Sequence, residues 1–220
     1  MPIYNARLTT IDPVETRRYA GLSKAEGFDE RAITEACEEA GLLIKVRGIW
    51  QMYDYDPSKR LVMSEPPFEI LGESIAKHLS KCERAVCMAV TVGEGIEREV
   101  TEKFRIGKYV PAMLLDAAAT SAVEQAADQM ESAIKQTVER EGFKMRSRYS
   151  PGYGDWGLDQ QQGFFRLTGG AEIGMRLSQA MMLMPRKSVT AIIGLTRASS
   201  ARSKKHDCAS CDKLDCSMRS

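Results

Sequence analysis

The chain has 220 residues, 43% of them apolar, a formal charge of +1 and a pI of about 7.6. That composition can fill one substantial core or two small ones. The charge is balanced, with no basic stripe and no interleaved aromatics, which argues against nucleic acid as a partner. No apolar run approaches the about 20 residues that a membrane span needs.

The opening Met1-Pro2-Ile3-Tyr4-Asn5 has neither the basic stretch nor the apolar stretch of a secretory signal. A cytoplasmic protein is therefore expected, its six cysteines being reduced thiols or metal ligands. Asp12-Pro13-Val14-Glu15 reads as a helix start, with a capping acid and a proline at the first position; that helix stops at Gly21. A second helix is expected over 29–40, with Ile33, Ala36, Cys37 and Ala40 on one face and Gly41 closing it. Residues 42–55 alternate as a strand does, and 60–64 suit its hairpin partner across Asp56-Pro57-Ser58.

Residues 72–82 predict a short helix on which Ile75, Leu79 and Cys82 repeat. Ala85 to Val92 is a continuous apolar run with the length of a buried strand, and Ile96, Val100 and Phe104 mark the helix after it. From Pro111 to Glu141 glycine is absent, so a long, alanine-rich, central helix is expected. Residues 143–149 predict a strand, 158–167 a helix ended by Gly169-Gly170, and 173–183 and 188–196 two further strands. The elements mix without βαβ alternation, which favours an α+β fold.

Strand 143–149 leads into Arg148-Tyr149-Ser150-Pro151-Gly152-Tyr153, the most informative stretch of the chain. Arginine is a permanent cation whose planar fork matches a carboxylate. Pro151 fixes its own φ and extends Ser150, while Gly152 admits a conformation or a close approach that a Cβ would block. Tyr153 offers a ring face and a hydroxyl. Together they suit a small zwitterion carrying an aromatic base; the plainer reading is a strand ending in a Pro-Gly turn.

This run resembles the Arg-x-x-Pro-Gly-Tyr signature of the AdoMet-binding activation domain of cobalamin-dependent methionine synthase. A second block agrees in order and spacing: Gly174-Met175-Arg176-Leu177-Ser178, then Met184-Pro185 and Ser188-Val189, is similar to that domain's Gly-Met-Lys-Leu-Thr and Pro-x-x-Ser-Val pattern. The resemblance runs from about residue 105 to 197. It implies a stand-alone activation domain over 1–197, with a twisted, largely antiparallel sheet, flanking helices and one long central helix, followed by a flexible, Cys-rich tail over 198–220.

The resemblance further implies that Arg148 holds the carboxylate of S-adenosylmethionine, that Ser150 and Gly152 offer backbone groups, and that Tyr153 lies against the ligand. Acidic side chains serve the ligand's ammonium and ribose in related domains. Glu141 fits one such position; another falls on Thr120, with Glu124 one helical turn on as a substitute or as a merely solvating acid. The implied activity is presentation of S-adenosylmethionine for reductive methylation and reactivation of cob(II)alamin. The cobalamin would sit on a partner methyltransferase, a methionine synthase lacking its own activation domain or another corrinoid protein. A separate one-electron donor such as a flavodoxin or ferredoxin would reduce the cobalt.

Three other features carry alternatives. Gly93-Glu94-Gly95 follows a strand and opens a helix, but Arg98 stands where a dinucleotide loop needs its third glycine, so a strand-to-helix turn is the better reading. His206, Cys208, Cys211 and Cys216 form a compact ligand set that suits tetrahedral zinc, an iron–sulfur cluster with an outside ligand, or unoccupied thiols. In the competing reading this tail is the active part, a redox or metal-cluster activator of a corrinoid protein; a third reading is an AdoMet-sensing regulatory protein. His78 reads as a boundary residue, and Cys37, Cys82 and Cys87 as core thiols.

Overall fold

The computed structural model describes residues 3–5 and 8–197. In chain order the elements are β1 (Ile3–Tyr4), α1 (Pro13–Tyr19), α2 (Glu30–Leu43), β2 (Arg47–Asp56), β3 (Leu61–Val62), β4 (Phe68–Glu69), α3 (Glu73–Leu79), β5 (Arg84–Thr91), α4 (Gly95–Arg105) and α5 (Tyr109–Arg140). There follow β6 (Phe143–Tyr149), a 3-10 turn (Leu158–Gln160), α6 (Gln161–Thr168), a second 3-10 turn (Gly170–Ile173), β7 (Arg176–Leu177), β8 (Leu183–Met184) and β9 (Ser188–Arg197). The main sheet runs β4-β3-β2-β5-β9-β6, with β1 on β2; β7 and β8 form a separate hairpin. The pairings β1–β2, β2–β3, β3–β4, β6–β9 and β7–β8 are antiparallel, so the fold is α+β with a largely antiparallel sheet. No helix of the described residues is long and apolar enough to cross a membrane.

Two compact units share these elements. The first comprises Met1–Trp50, Ala89–Ser132 and Gly169–Val189. Its α1 starts as expected: the Asp12 side chain accepts from Val14 N at 2.8 Å and Glu15 N at 3.2 Å, which satisfies N–H groups that have no partner inside the helix. The α2 stripe Ile33, Ala36, Cys37 and Ala40 is buried, and the Cys37 thiol lies 3.3 Å from Thr16 Oγ1 of α1. In α5 the small side chains Ala112, Ala119, Ala122 and Ala126 are fully buried. Alanine combines high helix propensity with close backbone approach, which is why this helix can be central. Opposite β2, the absence of a Cβ on Gly48 leaves room for the Met130 sulfur, 2.6 Å from where that carbon would stand.

The second unit comprises Gln51–Met88, Ala133–Thr168 and Thr190–Ser220. Trp156 and Phe164 are its largest fully buried side chains, packed edge to face with ring centres 5.0 Å apart, and Ile75, Leu79 and Ile192 close around them. The polar groups in this core are paired across elements. The Tyr53 hydroxyl donates to Leu167 O at 2.9 Å, and Gln161 Nε2 to Thr190 Oγ1 at 2.8 Å.

Two expectations are corrected. Gly41 does not end α2, which continues to Leu43 and is capped by extended Ile44; a glycine stops a helix only where the chain turns into the left-handed region. Residues 173–183 are not one strand: Gly174 takes φ +82° and Met181 +60°, breaking the run into a turn and the β7–β8 hairpin. Deleting the central ring is the clearest test of the second unit's core. Phe164→Ala should cost about 3–5 kcal/mol, measured by urea unfolding.

Candidate functional site

β6 carries a bulge where the site begins. Met145 faces Leu195 and Arg148 faces Ile193, so three steps on β6 match two on β9. Strand side chains alternate between faces, and the extra residue therefore puts Arg148 on the face of Phe143 and Met145. Tyr149, opposite Ile192, goes to the other face and packs on the Trp156 core.

Beyond Tyr149 the chain makes a tight turn. Tyr153 N donates to Ser150 O at 3.2 Å, with Pro151 at the second position and Gly152 at φ +93° in the third, which are the requirements of a type II turn. Gly152 N then donates to Trp156 O at 2.7 Å, and Trp156 N to Tyr153 O at 3.0 Å. Pro151 is buried beneath while Gly152 is exposed, and the Tyr153 ring is 67% exposed. Arg148 and Ser150 are half-buried. A cation, an open backbone and an exposed aromatic ring thus stand within six residues. That donor set fits a ligand with a carboxylate and a flat base.

α3 holds this segment. Glu73 N donates to Asp155 Oδ2 at 2.7 Å and Ser74 N to Asp155 Oδ1 at 3.0 Å, so a carboxylate 82 residues away caps α3. Burial works against the charge on Asp155, but the N–H groups of Ser74 and Glu73 prevail and hold its carboxyl below the ordinary range. At the other end of the helix, His78 Nε2 lies 2.9 Å from Ser147 O and its ring 5.6 Å from that of Tyr149. Gln160 bonds Trp156 Nε1, Leu71 N and Glu69 O at 2.7, 2.8 and 2.9 Å. Asp155, Gln160 and His78 were not singled out from the sequence as parts of the site. Their contacts join chain positions far apart, and no local pattern announces them.

The acidic candidates stand on different elements. Glu141 precedes β6 and pairs with Arg84 at 3.7 Å, roughly 15 Å of extended strand away from Arg148. It lines a charged cleft of about 450 Å³ with Asp54, Glu83, Arg84, Phe143 and Arg197. The Arg84 and Arg197 guanidinium carbons lie 5.6 and 5.0 Å from the centre of the Phe143 ring. Glu124 belongs to the first unit, half-buried on α5, where its charge helps burial to raise the Tyr19 phenol. Thr120 Oγ1 accepts from Lys187 Nζ at 2.8 Å, and the same ammonium pairs with Asp116 at 2.9 Å.

The buried thiols are unreactive in character. Burial pushes Cys82 up to about 11 against the opposing pull of Arg146, and pushes Cys87 up as well. No group of three metal-ligating side chains occurs among the described residues. His206, Cys208, Cys211 and Cys216 lie outside the described residues.

Among solved structures, a crystal structure of the MetH reactivation domain bound to AdoHcy matches this chain with a TM-score of 0.60 and 13% identity. The match covers 92% of this chain and 81% of that one. The chain has the fold of the MetH reactivation domain. No family model matches it, and no curated protein matches it at a significant level. The fold and the Arg-x-x-Pro-Gly-Tyr run agree.

Two outcomes test the geometry. An alanine at Gly152 would be strained at φ +93° and would stand 3.1 Å from Leu158, so Gly152→Ala should cost about 1–3 kcal/mol in thermal unfolding. Asp155 has its pKa lowered by folding, so its stabilisation is complete above the ordinary carboxylate range of about 4 and is lost as pH falls through the depressed native value. Asp155→Asn should flatten this acid limb in urea titrations run at neutral and acidic pH.

Proposed function

We propose that this chain binds S-adenosylmethionine at the 148–153 segment and offers its methyl group for reductive reactivation of a corrinoid carried by a partner methyltransferase. The observation that carries the reading is the union of the bulge-directed Arg148 and the type II turn at Pro151-Gly152 with the fold of the MetH reactivation domain. Arg148 would clamp the methionine carboxylate through its bidentate fork. The open backbone at Ser150 and Gly152 would meet the adenosine portion, and the exposed Tyr153 ring would lie against it.

When bound, S-adenosylmethionine supplies a sulfonium-activated methyl group to the partner's cob(I)alamin, formed from cob(II)alamin by one electron from a separate donor. The work left to this chain is positioning. No base is required, since the donor is already activated and no proton moves. The exposure of Tyr153 suits a site that a second macromolecule must reach.

Calorimetric titration with S-adenosylmethionine tests the first half. The intact chain should bind, and Arg148→Ala should weaken binding by at least about tenfold, the loss of a charge-assisted pair. Retention of affinity in that variant would remove Arg148 from the site. The second half is tested by adding a cob(II)alamin-loaded methionine synthase that lacks its own activation domain, with reduced flavodoxin as donor. Recovery of turnover should depend on both this chain and S-adenosylmethionine.

A further inference from the structure

We infer that α3 is the brace that sets the pose of the 148–153 segment, and that His78 and Asp155 are its two positioning residues. The inference deepens the proposed function, because the segment it braces is the ligand cradle. Three observations converge. His78, at the C-terminal end of α3, meets Ser147 O at 2.9 Å, immediately before Arg148 and inside the bulge between Met145 and Arg148. Asp155, just after the turn, binds the first N–H groups of the same helix at 2.7 and 3.0 Å. Between these fixed points Gly154 takes φ +55°, and a Cβ there would strike the Tyr149 hydroxyl and stand 3.6 Å from Ser74. The segment is therefore pinned on both flanks to one helix, with Gly154 drawn close to Ser74 beside the Asp155 pin.

The bulge needs such a pin. A bulge interrupts the ladder and leaves groups without their sheet partners; here Arg146 Nε and Ser147 Oγ are buried with no hydrogen-bond partner among the described residues. The imidazole of His78 gives Ser147 O a partner at this point. A slide of the bulge by one residue would move Arg148 to the opposite face. The ring of His78 also packs on Tyr149 at 5.6 Å, so the imidazole fixes both residues next to the bulge.

The experiment is hydrogen exchange read by mass spectrometry on the intact chain, alongside calorimetry with S-adenosylmethionine. His78→Ala and Asp155→Ala should each speed exchange in peptides covering 145–157 by about tenfold, the effect of one lost hydrogen bond on local opening, and leave α2 peptides unchanged. His78→Gln, whose amide can donate to Ser147 O, should restore protection. Ile33→Val, a mild core change in the first unit, controls for general destabilisation. Affinity for S-adenosylmethionine should fall in both alanine variants and return in His78→Gln. Unchanged exchange over 145–157, or a uniform rise like that of Ile33→Val, would overturn the brace; so would wild-type affinity in both alanine variants. If the wild type binds no S-adenosylmethionine, the ligand reading fails by itself, and the exchange pattern still decides whether α3 braces the segment.

Discussion

A single extra residue in β6 decides which face of the sheet receives the guanidinium of Arg148. With regular alternation after Met145, Arg148 would stand opposite Ile192, on the side occupied by Trp156 and Leu79. A permanent cation placed among apolar rings loses its hydration with no compensation, at a cost of several kcal/mol. The bulge exchanges the two residues: the arginine crosses to the other face, and Tyr149, which benefits from burial, enters the core in its place. The burial of Tyr149 and the placement of Arg148 are one event. The face on which the Arg148 cation stands is set by the aromatic side chain that fills the position alternation would have given it.

The same trade explains why the turn follows so closely. Once Tyr149 is committed to the core, the chain must reverse within a few residues to bring Trp156 beside it, with ring centres 6.2 Å apart. Pro151 and Gly152 achieve this through a proline-fixed φ and a glycine at +93°, and the exposed Tyr153 is a consequence of the reversal. Core formation and cradle formation therefore use the same residues. The turn is held in one conformation by its own backbone bonds before anything binds to it.

Elements whose signals are local were legible in the sequence. Asp12-Pro13 caps α1, the glycine-free run 112–141 is mostly α5, and Pro151-Gly152 makes its turn. What escaped depends on distance. The cap of α3 is contributed by Asp155 across 82 residues, while the residue next to the helix is Gly72, which offers no side chain. Glu141, which the resemblance offers as a ligand acid, pairs with Arg84 at 3.7 Å, a partner 57 residues earlier that no local pattern announces. Residues 173–183 look strand-like because their apolar positions recur, but nothing in that pattern says that Met181 will adopt a positive φ.

Thr120 shows how a site position can be absorbed by the scaffold. The resemblance places an acid there. In this chain the hydroxyl of Thr120 accepts from the ammonium of Lys187 instead, and Asp116, one turn earlier, neutralises it at 2.9 Å. The backbone N–H of the same lysine is held by Glu97 at 2.9 Å, and its neighbour Ser188 bonds Thr91 at 2.8 Å. The second sequence block is thus tied to α4, α5 and β5 by side chains that have no need of a ligand. A carboxylate at Thr120 would place a second negative charge beside an ammonium already matched by Asp116. Threonine supplies the remaining acceptor without that surplus. The lysine and the threonine make sense as a pair, the hydroxyl accepting from the ammonium that Asp116 neutralises.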